Sequence, residues 1–283
     1  KTLVERNGIP DDEYDDVMAE KFSLKDELFN PATVEYLAGL LAAADPAFPH
    51  ERFVAEVLAP FPSLELKERI AHIAAVLEKY LPGDFPAAAD LIERALPPPL
   101  DPTRTDDDFG RFIFAPFGKY VVSQGLEKHF SRSMRTLEAL TQRFSMEFAI
   151  RPFLNRWPDE TLEILAGWTG HPHYHVRRLV SEGTRPRLPW SGRLAIGADR
   201  TLPLLDRLYP DRARFVTRSV ANHLNDIAKT DPDLAVSTVG RWMAEGRQAP
   251  DEMAWIARHA LRTLVKDGHE PALSLLGYSR QAG

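Results

Sequence analysis

Cysteine is absent from the 283-residue chain, which excludes disulfides, thiolate zinc sites and cysteine nucleophiles. No apolar run approaches the ~18 residues that a membrane span requires; charges interrupt the longest stretches within a turn or two. No secretory leader is legible, so a cytoplasmic location is expected. Long alternating apolar and polar stretches, the mark of half-buried strands, are missing. So are the Gly-x-x-x-x-Gly-Lys-Ser/Thr phosphate loop and the Gly-x-Ser-x-Gly elbow, which leaves nucleotide hydrolysis and serine-hydrolase chemistry without support.

What is present is a 44% hydrophobic chain, ample for a core, with a net charge of -6 that is unevenly spread. Residues 151–230 hold 13 Lys+Arg against 8 Asp+Glu, whereas the remainder holds 22 against 33. A basic middle inside an acidic chain fits a localised anion-binding face; ordinary scatter along helices is the alternative. Helical periodicity dominates. Asn30-Pro31 reads as a capped helix start. After Ser63, residues Leu66, Ile70, Ile73, Leu77 and Leu81 recur at helical spacing until Pro82-Gly83 stops them. Pro97 to Asp108 and Thr184 to Gly197 read as breaks. Residues 1–20 form an acidic extension, and 21–283 a single domain with a helical half (21–100) and a repeat-bearing half (106–283).

The second half repeats. His175-Val176-Arg177-Arg178-Leu179-Val180 aligns with Phe215-Val216-Thr217-Arg218-Ser219-Val220 and with Trp255-Ile256-Ala257-Arg258-His259-Ala260. Thr161-Leu162 aligns with Thr201-Leu202. Arg178, Arg218 and Arg258 thus recur every ~40 residues, the period of HEAT-like helix pairs. One pair cannot bury its apolar face alone, so the expected fold is an all-α HEAT-like solenoid with a concave face. The repeating arginines read first as a ladder tying one unit to the next.

On the helix from Phe215 to Lys229, Val216, Val220, Leu224 and Ile227 share one face, expected in the core. Arg218, Asn222, Asn225, Asp226 and Lys229 share the other. Arg258, Arg262 and Lys266 follow at i, i+4, i+8 in the next unit. On the concave side such residues would contact phosphates; a solvated polar face is the alternative. Glu182 occupies the position equivalent to Asn222, and Glu147 lies nearly one unit earlier, so Glu147, Glu182 and Asp226 are expected on one surface. Ion pairing with neighbouring arginines is one reason for carboxylates there. The other is chemistry, since a carboxylate stabilises developing positive charge or orients a water. Trp190 is a candidate stacking wall, though a tryptophan is more often core. Trp157, Trp168, Trp242 and Trp255 read as core or rim. His171, His173 and His175 lack metal-ligand spacing on a helix, and read as a helix-start loop; no metal or cofactor is expected.

Ser181-Glu182-Gly183-Thr184-Arg185-Pro186-Arg187-Leu188-Pro189-Trp190 resembles a signature of the AlkC family of DNA alkylation repair proteins. Ser219-Val220-Ala221-Asn222-His223-Leu224-Asn225-Asp226-Ile227-Ala228-Lys229 resembles a second, and Glu147-Phe148-Ala149-Ile150-Arg151-Pro152-Phe153-Leu154 a third. The likeness runs from about Phe29 to Tyr278, weaker before Phe112. The resemblance implies a monofunctional DNA glycosylase of base excision repair, acting on 3-methyladenine and also 3-methylcytosine without a cofactor. It places the catalytic residues on Asp226, Glu182 and Glu147, with Trp190 beside them. The expected DNA contacts are Arg185, Arg187, Arg218, Asn222, Lys229, Arg258, Arg262 and Lys266, with double-stranded DNA as partner of a monomer associated with the nucleoid. The immunoglobulin-like C-terminal domain that helps some members grip DNA is not legible before Gly283. The loop Ser191 to Asp199 reads as slightly shorter than usual for the family. A catalytically silent HEAT-like scaffold is the alternative, because function resides in the site and not the fold.

Overall fold

The computed structural model describes residues 23–106, 109–189 and 191–278, so the expected extension 1–20 lies outside the described residues, as does Trp190. The helices are α1 (Leu24–Leu28), α2 (Pro31–Ala44), α3 (His50–Leu58), α4 (Leu66–Tyr80), α5 (Phe85–Ala95), α6 (Ala115–Gly125), α7 (Phe130–Thr141) and α8 (Glu147–Arg156). They continue as α9 (Pro158–Trp168), α10 (Tyr174–Gly183), α11 (Ala198–Leu208), α12 (Arg214–Ala228), α13 (Pro232–Glu245), α14 (Pro250–Ala260), α15 (Arg262–Lys266) and α16 (Glu270–Leu275). No β-strand occurs among the described residues; an isolated bridge joins Gly110 to Phe144.

Local sequence sets these boundaries. The Asn30 side chain accepts from the Thr33 amide while Thr33 Oγ1 accepts from the Asn30 amide, a reciprocal cap that opens α2. Helix α4 begins one residue after Glu65, whose amide is held by the Glu68 side chain, and ends before Pro82. Gly246, at φ +61, takes the left-handed conformation that terminates α13.

Helices α4, α6, α8, α10, α12 and α14 form one row, each packed on the next, and α9, α11 and α13 each pack on the helix that follows. This is the expected solenoid of helix pairs. Val216, Val220, Leu224 and Ile227 are buried, as their spacing predicts. The 40-residue period also operates where the sequence hides it. Lys25 pairs with Glu65, Arg132 with Glu93, Arg200 with Asp159, and Arg262 with Asn222, each a side-chain bridge between neighbouring units. Arg69, fully enclosed, donates to the carbonyls of Lys25, Phe29, Phe61 and Leu64 and pairs with Asp26, closing the first unit onto the second.

Two expectations about helix faces change. Asn225 and Asp226 are buried, because α12 lies between α10 and α14. The helix carrying Arg258, Arg262 and Lys266 breaks at Leu261, so strict i, i+4, i+8 stacking does not hold. The cause is tertiary. Asn225 Oδ1 draws the Thr263 amide (3.3 Å) and hydroxyl (3.0 Å) out of the helical pattern.

Candidate active site

Glu147 opens α8, whereas Glu182 and Asp226 sit in the last turns of α10 and α12. A helix C-terminus disfavours negative charge, so the latter two carboxylates require cations, and the fold supplies them. Arg185, just past the end of α10, donates Nη1 to Glu182 Oε1 at 2.7 Å and Nε to Asp226 Oδ2 at 2.9 Å. Lys229 approaches the other Asp226 oxygen at 2.9 Å. Arg178 lies 3.6 Å from Glu182 and 3.7 Å from Glu147, donates to Ser145 Oγ at 2.7 Å, and rests on the Phe215 ring at 4.6 Å. Two arginines therefore string three carboxylates from α8, α10 and α12 into one line.

Burial alone would raise the Glu182 carboxyl, but Arg178 and Arg185, with the Ser219 hydroxyl at 2.6 Å, overcome it and hold the group below its ordinary value. Glu182 thus stays ionised although only 5% of the residue is exposed. Glu147 Oε2, the oxygen 3.7 Å from Arg178, is buried and receives no hydrogen bond among the described residues. Beneath the carboxylates, His223 bonds the Ser181 carbonyl at 3.0 Å. Its burial pushes it down to about 4, so the ring is neutral near pH 7.

A cleft of about 440 Å³ opens beside this line, with Arg185, Arg187, Arg193, Lys229 and Asp226 in its wall. The wall-forming loop, irregular as its prolines predict, is pinned from α8. Buried Arg151 donates to the Gly183, Arg185 and Gly192 carbonyls, and Asn155 bridges Arg193 and Ala195. Gly183 has to be small here, because a Cβ would stand 2.5 Å from Ile150 Cγ2.

The three predicted carboxylates are brought together. The predicted cations divide. Arg187, Lys229, Arg258, Arg262 and Lys266 are exposed, although Lys229 also serves Asp226. Arg218 pairs with Asp106. Asn222 Oδ1 faces His259 Nε2 at 2.8 Å and accepts from Arg262 at 3.1 Å. Arg185, expected on phosphate, is instead enclosed between Glu182 and Asp226, because i, i+3 spacing on one helix end and a 41-residue step to the next unit place it there. Trp190 lies outside the described residues; its neighbours Pro189 and Ser191 line the cleft. His173 caps α10, its Nδ1 accepting from the His175 amide at 3.2 Å, which is the helix-start role expected of the His-Pro-His-Tyr-His run. Sequence reasoning missed Arg178 and Ser219 as carboxylate partners. The 40-residue repetition had singled out Arg178, but only as a rung.

No family model matches the chain. It is 35% identical over 256 residues to the uncharacterized protein YhaZ of Bacillus subtilis (strain 168), covering 89% of this chain and 68% of that protein. Among solved structures it is similar to the Pseudomonas fluorescens alkylpurine DNA glycosylase AlkC bound to DNA containing an abasic site analog. That match has 36% identity and a TM-score of 0.78, and covers 90% of this chain and 68% of that one. With 36% identity over 90% of its length, the chain belongs to the AlkC family of DNA alkylation repair proteins.

Proposed function

We propose that the protein is a monofunctional DNA glycosylase of base excision repair that hydrolyses the N-glycosidic bond of N3-alkylated bases in duplex DNA, 3-methyladenine first and 3-methylcytosine second. The observation that carries this reading is the line of three carboxylates, Glu147, Glu182 and Asp226, at the edge of a cationic cleft in a chain of this family. An N3-alkylated purine is already cationic, so its departure needs no general acid. As the bond from C1′ to nitrogen lengthens, its electron pair neutralises the base and the sugar becomes oxocarbenium-like. Asp226 and the ionised Glu182 stabilise that positive charge. Glu147, more loosely paired than the other two carboxylates, takes a proton from the water that attacks C1′. The products are a free base and an abasic site, and no metal or cofactor enters the balance. Trp190 is assigned the stacking wall against the cationic base. Arg185 positions the carboxylates, and Arg187, Lys229, Arg258, Arg262 and Lys266 contact phosphates as the protein acts as a monomer on nucleoid DNA.

The test is release of free base from methylated duplex DNA, read by mass spectrometry, with wild type beside Asp226→Asn and Glu182→Gln. Wild type is expected to release 3-methyladenine, and each substitution to slow release by ~100-fold or more, the size of losing one preorganised electrostatic group. A wild type that binds duplex DNA and releases no base would instead support a silent scaffold. Equal release by all three proteins would dismiss the site assignment and leave the enzyme.

A further inference from the structure

The run from Pro97 to Asp106, between the two halves, follows the stack of units without entering it. Arg143 Nε holds the Pro97 carbonyl at 2.8 Å, and the Leu100 amide donates to Gln142 O at 2.9 Å. His173 Nε2, at the start of α10, meets the Leu100 carbonyl at 2.9 Å. The Phe215 amide, in the first turn of α12, donates to Thr105 O at 2.9 Å. The run therefore passes the N-termini of α10 and α12 in turn and satisfies a donor that the start of α12 leaves without a helical partner. At its end, both Asp106 carboxylate oxygens lie 2.5 Å from Arg218 Nη2, and both side chains remain about one-third exposed.

Arg218 is the counterpart, one unit later, of Arg178. Arg178 takes its carboxylates from its own helix and from the preceding helix of the row. Arg218 takes Asp106 from 112 residues upstream. Arg214 and Arg262 lie nearby, Arg214 already paired with Glu252. Arg262, Arg218 and Arg214 add to burial in holding His259 down to about 4, so all three guanidinium groups act on one ring. A carboxylate delivered to this place is a chemical counterpart of a phosphodiester oxygen pair, planar where phosphate is tetrahedral but equal in charge.

We propose that Arg218 is a phosphodiester-binding position of the DNA track and that Asp106 occupies it as an intramolecular phosphate surrogate, so that duplex DNA engages Arg218 only by displacing Asp106. This rests on the reading of the protein as a duplex-DNA-binding enzyme. A displaceable anion subtracts from every mode of binding that engages Arg218, undamaged duplex included. The exposed pair is easily exchanged, because such a pair contributes little net stability.

The test measures affinity for undamaged duplex DNA across a salt series, with wild type, Asp106→Asn, Arg218→Ala and the double variant, and thermal melts alongside. Asp106→Asn is expected to bind two- to fivefold tighter at low salt, about the strength of one exposed pair, with the gain fading as salt rises. Arg218→Ala is expected to bind more weakly, with a log–log salt slope smaller by about 0.9, and in that background Asp106→Asn is expected to change nothing. If wild type binds duplex DNA and Asp106→Asn binds no tighter, or its gain persists without Arg218, the surrogate is refuted. Wild type with no duplex affinity at any salt would sink the DNA reading itself. A lower melting temperature for Asp106→Asn with unchanged affinity would make the pair a helix-start brace and overturn the proposal.

Discussion

Arg185→Ala is the perturbation whose cost follows most directly from the geometry. The side chain is 15% exposed and bridges two carboxylates that are 7% and 3% exposed. Removing one member of a buried ion pair costs roughly 3–5 kcal/mol, because the remaining charge stays desolvated. Asp226 would keep Lys229, and Glu182 would keep Arg178 and Ser219, so the lower end of the range, about 3 kcal/mol, is expected. For a chain of this size that corresponds to a fall in Tm of roughly 5 °C. Lys229→Ala removes a cation from the same Asp226, but a partly exposed one, and should cost no more than about 1 kcal/mol. The pH dependence supplies a second check. Without Arg185 the Glu182 carboxylate is held less firmly in its ionised form, so protonation relieves the variant first and the gap from wild type narrows as pH falls towards 4.5. Thermal melts of both variants and wild type between pH 7 and 4.5 decide it. A loss of under 2 °C for Arg185→Ala, or a gap that does not change with pH, would refute the picture of a bridging guanidinium.

Two further outcomes follow from the same region. The lowered Glu182 contributes stability that is complete above its unfolded value of 4.5 and is lost as pH falls through the folded one; urea titrations at pH 5 and below should therefore show a steeper loss for wild type than for Glu182→Gln, and equal slopes would remove Glu182 from the acid response. Gly183→Ala drives a Cβ against Ile150 Cγ2, which should cost about 1–3 kcal/mol by overpacking and be partly relieved in the double variant with Ile150→Ala; a Gly183→Ala protein as stable as wild type would mean that α8 and α10 are not in close contact.

The solenoid was legible because its helix pairs repeat their own residues. Arg178, Arg218 and Arg258 mark one register, and Thr161 and Thr201, both buried, mark another. The first half has the same bridges at the same spacing, Lys25 to Glu65 among them, but its apolar residues vary too much between units to show it. The convergence of Glu147, Glu182 and Asp226 was likewise readable from register. What each cation touches was not. Arg185 resembles a phosphate ligand in sequence, and only the 41-residue step to Asp226 turns it inward. Asn225 sits on the polar face of its helix, yet it is buried because α14 covers it and Thr263 needs its oxygen. Periodicity describes one helix at a time, and these assignments depend on two.

The run from Pro97 to Asp106 has a consequence for how the molecule folds. Most contacts of a solenoid join neighbours, so its units can form and melt one after another. The contact of Asp106 with Arg218 spans 112 residues, and closing it costs about 0.9 kcal/mol more chain entropy than a 40-residue step. It becomes favourable only after α7 to α12 have stacked, since the run is moored at Gln142, His173 and Phe215 along the way. The moorings of the run at Gln142, His173 and Phe215 therefore form late and couple those units, whereas the exposed Asp106–Arg218 pair adds little of its own. Fraying that enters from either end of the superhelix is expected to meet this coupling before it reaches the part of the protein that holds the three carboxylates.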